Sequence, residues 1–125
     1  MQNRARLLIA RQDFAAARTQ LEELGQLVSA RKNPNQERGY SATLGLLELG
    51  QKNYAKAIEH FAKASPDDPY VLYQTAAAYE GMGDRQKASE LYQRVVKLNA
   101  VGNVGYAIVR PRAAVRMVEL AKAPE

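Results

Sequence analysis

The amino-acid sequence predicts an all-α fold, a stack of antiparallel helix pairs closed by a terminal helix. Two observations carry that prediction. Between clusters of proline and glycine, at Asn33-Pro34-Asn35, Ser65-Pro66-Asp67-Asp68-Pro69, Gly81-Met82-Gly83-Asp84 and Gly102-Asn103-Val104-Gly105, apolar residues recur three and four apart, as in Ala57, Ile58, Phe61 and Ala64 or Leu91, Val95 and Leu98. That is the period of a helix buried on one side, and no run alternates apolar and polar residues as a half-buried strand would. The second observation is an internal likeness. Asp13-Phe14-Ala15-Ala16-Ala17 is followed by Leu21 and Leu24, Asn53-Tyr54-Ala55-Lys56-Ala57 by Phe61 and Ala64, and Asp84-Arg85-Gln86-Lys87-Ala88 by Tyr92 and Val95.

Each position in the likeness has a physical use. Asp or Asn caps a helix by accepting from its free N–H groups, alanine lets a neighbouring helix approach, and the large residue fills the space between the two. The chain reads as a single domain over 1–125, with a partial first repeat at 1–32, a second at 36–69, a third at 70–100 and a capping helix at 103–121. In the first repeat an outer helix runs from Phe14 to about Ala30, and Arg31-Lys32-Asn33-Pro34-Asn35-Gln36 forms the turn after it. In the last segment Gly102 and Gly105 loosen the chain and Pro111 opens the final helix, with Val115 and Val118 facing the stack. A stack of repeats needs such an end helix to cover its last apolar face.

The pattern resembles the tetratricopeptide repeat family, whose signature is W-x2-L-G-x2-Y, then A-x3-F, then P. The second repeat supplies Leu44-Gly45, Ala57-x3-Phe61, Ala64 and Pro69; the third supplies Leu72, Ala76, Tyr79, the Gly83-Asp84 turn and Ala88-x3-Tyr92. The likeness covers roughly residues 1–100. It departs from the family in spacing, since Ala17, Ala57 and Ala88 lie 40 and then 31 residues apart against a period of about 34. Ser41 and Glu48 stand where the signature has aromatics, so the second inner helix is expected to pack less tightly than the third. The Asn33 to Gln36, Pro69-Tyr70 and Asn103 to Arg112 stretches together resemble the C-terminal part of a bacterial tetratricopeptide protein. That leaves periplasm or cell envelope and cytoplasm both open.

The resemblance implies a scaffold or adaptor that binds a peptide or protein segment, and not an enzyme. Its inner helices line a concave groove in this family, which nominates Thr43, Leu46, Tyr70, Tyr73, Gln74 and Ala77 as partner contacts. Tyrosine suits such a surface because it offers area and a hydroxyl for little lost entropy. Tyr54, Tyr79 and Tyr92 fall on signature positions and are read as packing residues. The lysine and asparagine of the family's two-carboxylate clamp are missing from these helices, which carry Ala42, Thr43, Leu46, Tyr73, Gln74 and Ala77. Competing readings are an RNA-binding helical repeat, or an oligomerisation or accessory segment of a larger enzyme, with self-association included.

Other chemistries are poorly supported. The one histidine, His60, lacks the second that a helical zinc motif needs, and the absence of cysteine removes thiolate chemistry and disulfides. Gly81-Met82-Gly83 has no preceding strand and Gln86 where a third glycine belongs, so no nucleotide cofactor is expected. Asp67 and Asp68 sit between prolines, where capping explains them better than acid–base catalysis. No stretch reaches the ~20 apolar residues of a membrane span. The net charge is +5, with seven basic residues against four acids in 1–38 and four against two in 101–125. Nucleic acid is disfavoured all the same, because these residues form no compact run and recur on polar helix faces.

Overall fold

In the computed structural model, residues 2–64, 68–97 and 104–122 are described, with side chains over 4–64, 68–97 and 109–120. Among them the chain forms α1 (Gln2–Ala10), α2 (Phe14–Arg31), α3 (Pro34–Gly50), α4 (Tyr54–Ala62), α5 (Pro69–Met82), α6 (Arg85–Lys97) and α7 (Val104–Lys122), and no strand. The chain divides into two compact units, Met1–Ser65 and Pro66–Glu125.

Within each helix pair the turn is the same device. Gln12, Lys52 and Gly83 adopt left-handed conformations with φ of 64°, 65° and 87°. The next N–H, of Asp13, Asn53 and Asp84, then donates to the carbonyl five residues back, Leu8, Glu48 and Tyr79, at 2.8, 2.8 and 2.9 Å. This closes the preceding helix while the same Asp or Asn starts the following one. Asp13 Oδ1 accepts from the Ala16 N–H at 3.3 Å and Asp84 Oδ1 from that of Lys87 at 3.2 Å, as expected. Asn53 makes no such side-chain cap. Its amide is directed to Glu48 instead.

The first unit is built on α3, which packs against α1, α2 and α4, with α1 also against α2. Ala5, Ala17, Leu21, Leu24, Val28 and Leu47 form its core. On the α4 side, Gly45 lies under the Phe61 ring so closely that an added Cβ would overlap the ring carbons. A helical glycine costs about 1 kcal/mol relative to alanine. Here that loss is smaller than the 1–3 kcal/mol that overpacking a filled site typically costs, which accounts for the Leu44-Gly45 pair. The turn expected over Arg31 to Gln36 is shorter: α2 runs through Arg31, Asn33 accepts from the Asn35 and Gln36 N–H groups, and Pro34 is already in the first turn of α3. Proline is pre-set for that position and has no N–H to waste.

Glu48, at a position where the signature has an aromatic, is held by polar partners. It is buried, and Arg18 Nη2 donates to its Oε1 at 3.1 Å while Asn53 Nδ2 donates to its Oε2 at 2.9 Å. Burial pushes the Glu48 pKa up, but the hydrogen bonds from Asn53 and Arg18 and the charges of Arg18 and Lys56 outweigh it, and the net shift is downward.

In the second unit α5, α6 and α7 pack against one another around Leu72, Ala76, Ala88, Tyr92, Val95, Val109 and Ala113. The final helix corrects two expectations. It begins at Val104, so Pro111 lies inside it. The face is also different: Val109 and Ala113 are fully buried and Met117 and Leu120 pack beside them, whereas Val115 and Val118 are 55% and 52% exposed. Residues four, four and three apart share one stripe of a helix, and Val109 could join that stripe only if the helix started before Pro111. An interior proline costs about 3 kcal/mol or more. Burying a valine returns about 1.5–3 kcal/mol of that, and the exposed position of Pro111 keeps its ring away from the core.

Candidate protein-interaction surface

The site begins with the start of α5. Asp68 caps it, its Oδ1 accepting from the Tyr70 N–H at 2.9 Å, and the buried Pro69 holds the first turn. Asp67 lies outside the described residues. From this fixed start Tyr70, Tyr73, Gln74 and Ala77 fall three and four apart on one stripe, all half-buried. The remaining two nominated residues are on α3 of the first unit. Leu46 is half-buried there. Thr43 is fully buried, its hydroxyl donating to the Gly39 carbonyl at 3.0 Å and accepting from Arg6 Nε at 3.4 Å. Thr43 therefore packs inside its unit and offers no surface, a correction to its nomination as a partner contact. Nothing about residue type distinguishes it, because threonine is at home on either face of a helix.

Tyr73 is held by its own neighbours. Its ring lies tilted at 60° against that of Tyr92, with centroids 5.6 Å apart, a geometry that adds about 0.5–1.5 kcal/mol beyond burial. Tyr92 is buried, and its hydroxyl donates to Glu80 Oε1 at 3.1 Å. Burial first, then the Glu80 charge and this bond, push the Tyr92 pKa upward, so the hydroxyl stays a donor. Arg116 of α7 reaches the same carboxylate with Nε, 3.1 Å from Glu80 Oε1, and with Nη2 on Oε2, and also bonds Glu119. The forked pairing ties α7 to α5.

Between those two helices an open cleft of about 330 Å³ is lined by Tyr73, Pro111, Arg112, Val115 and Arg116. Sequence reasoning does not find this cleft. Arg116 and Glu80 are 36 positions apart, which no local spacing reveals, and a helix opening at Pro111 puts Val115 on the buried face.

The other titratable groups do not assemble into a reactive site. His60 on α4 is half-buried, and that burial lowers its pKa. Tyr40 is raised by burial and then by Glu22. Among the described residues no group of three or more His, Asp or Glu is placed to hold a metal ion, and no helix is long and apolar enough to cross a membrane.

Paired antiparallel helices, a shared turn and a small-on-large contact in each pair define a helical-repeat protein. A family model described as tetratricopeptide repeat matches residues 48–103, from the end of α3 through α6, and supports assignment of that stretch to the tetratricopeptide repeat family. Members of this family generally mediate protein–protein interaction and are typically non-catalytic modules. No curated protein and no solved structure matches the chain.

Proposed function

We propose that this chain is an interaction module that holds a segment of a partner protein on the α5 stripe of Tyr70, Tyr73, Gln74 and Ala77. Leu46 on α3 is proposed as a separate contact presented by the first unit. The observation that carries the reading is the state of Tyr73: its ring is braced by Tyr92 and it also lines an open cleft. A braced aromatic loses little entropy when a partner covers it, which is the property of an interface anchor. The family's general role in protein interaction supports the same reading.

Site-specific photo-crosslinking tests it. A photoreactive residue at Gln74, on the stripe, should give discrete adducts with partner protein that are lost when Tyr73→Ala is added, while one at Gln93, exposed on α6, should not. Identical adducts from both positions, or adducts indifferent to Tyr73→Ala, would rule the surface out.

A further inference from the structure

The cleft beside Tyr73 has walls that are apolar: the Tyr73 ring on one side, the Pro111 ring and the half-exposed Val115 on the other. The two cations at its rim differ. Arg116 is committed to Glu80 and Glu119. Arg112 is exposed and makes no hydrogen bond or ion pair among the described residues. Glu80 and Glu119 are both held by Arg116, so among the described residues the cleft offers one guanidinium without an ion-pair partner, that of Arg112, beside an apolar floor. Its volume is at the lower end of the ~300–1,000 Å³ typical of ligand clefts, the scale of one large side chain and its flanking backbone.

We infer that the cleft docks an acidic peptide segment of a partner protein, one large apolar side chain entering between Tyr73, Pro111 and Val115 while an adjacent carboxylate pairs with Arg112. The inference rests on the peptide-holding role proposed for α5 and specifies its ligand. Charge complementarity selects the occupant: a basic or neutral peptide would leave Arg112 uncompensated, and a carboxylate can take its guanidinium in a forked geometry. Arg112 lies one position past Pro111 and three before Val115, so charge and apolar contact are about one helical turn apart, which fits adjacent residues of an extended peptide.

The test uses the full chain and a fluorescein-labelled hexapeptide, Asp-Glu-Leu-Phe-Glu-Asp, read by fluorescence polarisation. Saturable binding should weaken about tenfold with Arg112→Glu, the change expected for loss of one charge pair near an apolar surface, and similarly with Val115→Asp. It should be unaltered by Arg94→Glu, an equal charge change on α6. A lysine-for-acid version of the peptide should bind Arg112→Glu better than it binds wild type, which a misfolded variant could not do. Equal binding of wild type and Arg112→Glu, equal binding of the Asn/Gln version of the peptide, or no saturable binding overturns the inference. Preferential binding of polyuridylate at Arg112, or concentration-dependent self-association abolished by Arg112→Glu, overturns it in favour of nucleic acid or a second copy. Adducts at Gln74 that survive such a failure would leave the interaction module standing and only its ligand misassigned.

Discussion

Two helix pairs of this chain solve the same packing problem differently. In α3/α4, the small residue is Gly45 and the large one Phe61; 31 positions later in α5/α6 they are Ala76 and Tyr92. All four are buried. The first pair omits a Cβ so that a phenyl ring can lie against the backbone. The second keeps the methyl, and its ring is steadied by Tyr73, whose counterpart in the first pair is the small buried Ala42, and by a hydroxyl bonded to Glu80. The difference reaches the surface, because the Tyr73 that lies against the buried ring also lines an open cleft. The first pair needs no such brace and gains no such edge.

The largest effects should come from removing the rings. Phe61→Ala and Tyr92→Ala should each lose about 3–5 kcal/mol of stability in urea unfolding. A smaller loss for Tyr92 would mean that Tyr73 swings in to fill the space, and the cleft should then change with it. Tyr92→Phe isolates the hydroxyl and should cost about 1 kcal/mol, the net worth of a hydrogen bond.

Exchanging the small residues is the next test. Gly45→Ala should destabilise by about 1–2 kcal/mol, the upper part of the ~1–3 kcal/mol of overpacking less the ~1 kcal/mol of helix propensity regained, since the Phe61 ring it would strike is itself buried. Ala76→Gly, the reverse exchange, should cost about 1 kcal/mol through helix propensity. If Gly45→Ala is neutral in urea unfolding, the interface is looser than its geometry and the contrast between the two pairs fails.

Much of this architecture is legible in the order of residues alone. The caps at Asp13 and Asp84, the alanines at Ala17, Ala57 and Ala88, and the large residues at Leu21, Phe61 and Tyr92 are local spacings, and period alone brings them to one face. The α5 stripe follows from the same spacing. What spacing cannot reveal depends on partners far along the chain or on helix phase. Glu48 reads as a defect until Arg18, 30 residues earlier, is found beside it. Thr43 reads as a surface residue until α1 supplies Arg6. Pro111 reads as a helix start because proline is most often tolerated there, and that single displacement turns Val115 and Val118 inward on paper when they face out in the fold.

The two pairs should also differ in the pH range where they weaken. The folded-state pKa of Glu48 is lowered, so its contribution is present above the ordinary carboxylate value and is lost as pH falls through the lowered one. Tyr92 is raised, so its contribution is present below the ordinary tyrosine value and is lost as pH climbs from there toward the raised one. Urea midpoints of wild type, Glu48→Gln and Tyr92→Phe across pH separate the two. Glu48→Gln should flatten only the acid limb and Tyr92→Phe only the alkaline one. An unchanged acid limb in Glu48→Gln would show that other carboxylates carry it.

The smallest predicted effect concerns the turns. Gly83 and Lys52 hold the same left-handed position in their respective pairs, but lysine has a Cβ and glycine does not. The left-handed conformation costs a side-chain-bearing residue about 1–2 kcal/mol, against an extra unfolded-state entropy for glycine of about 0.5–1 kcal/mol. Lys52→Gly should therefore stabilise by about 0.5–1 kcal/mol and raise Tm by a few degrees. Gly83→Ala should lose a similar amount, and for backbone reasons alone, because nothing lies within 4 Å of the methyl it would add. Thermal unfolding reads both. If the two substitutions do not move Tm in opposite directions, the Lys52 backbone is not the equivalent of the Gly83 one, and the shared turn that links the two pairs is a likeness of hydrogen bonds without a likeness of strain.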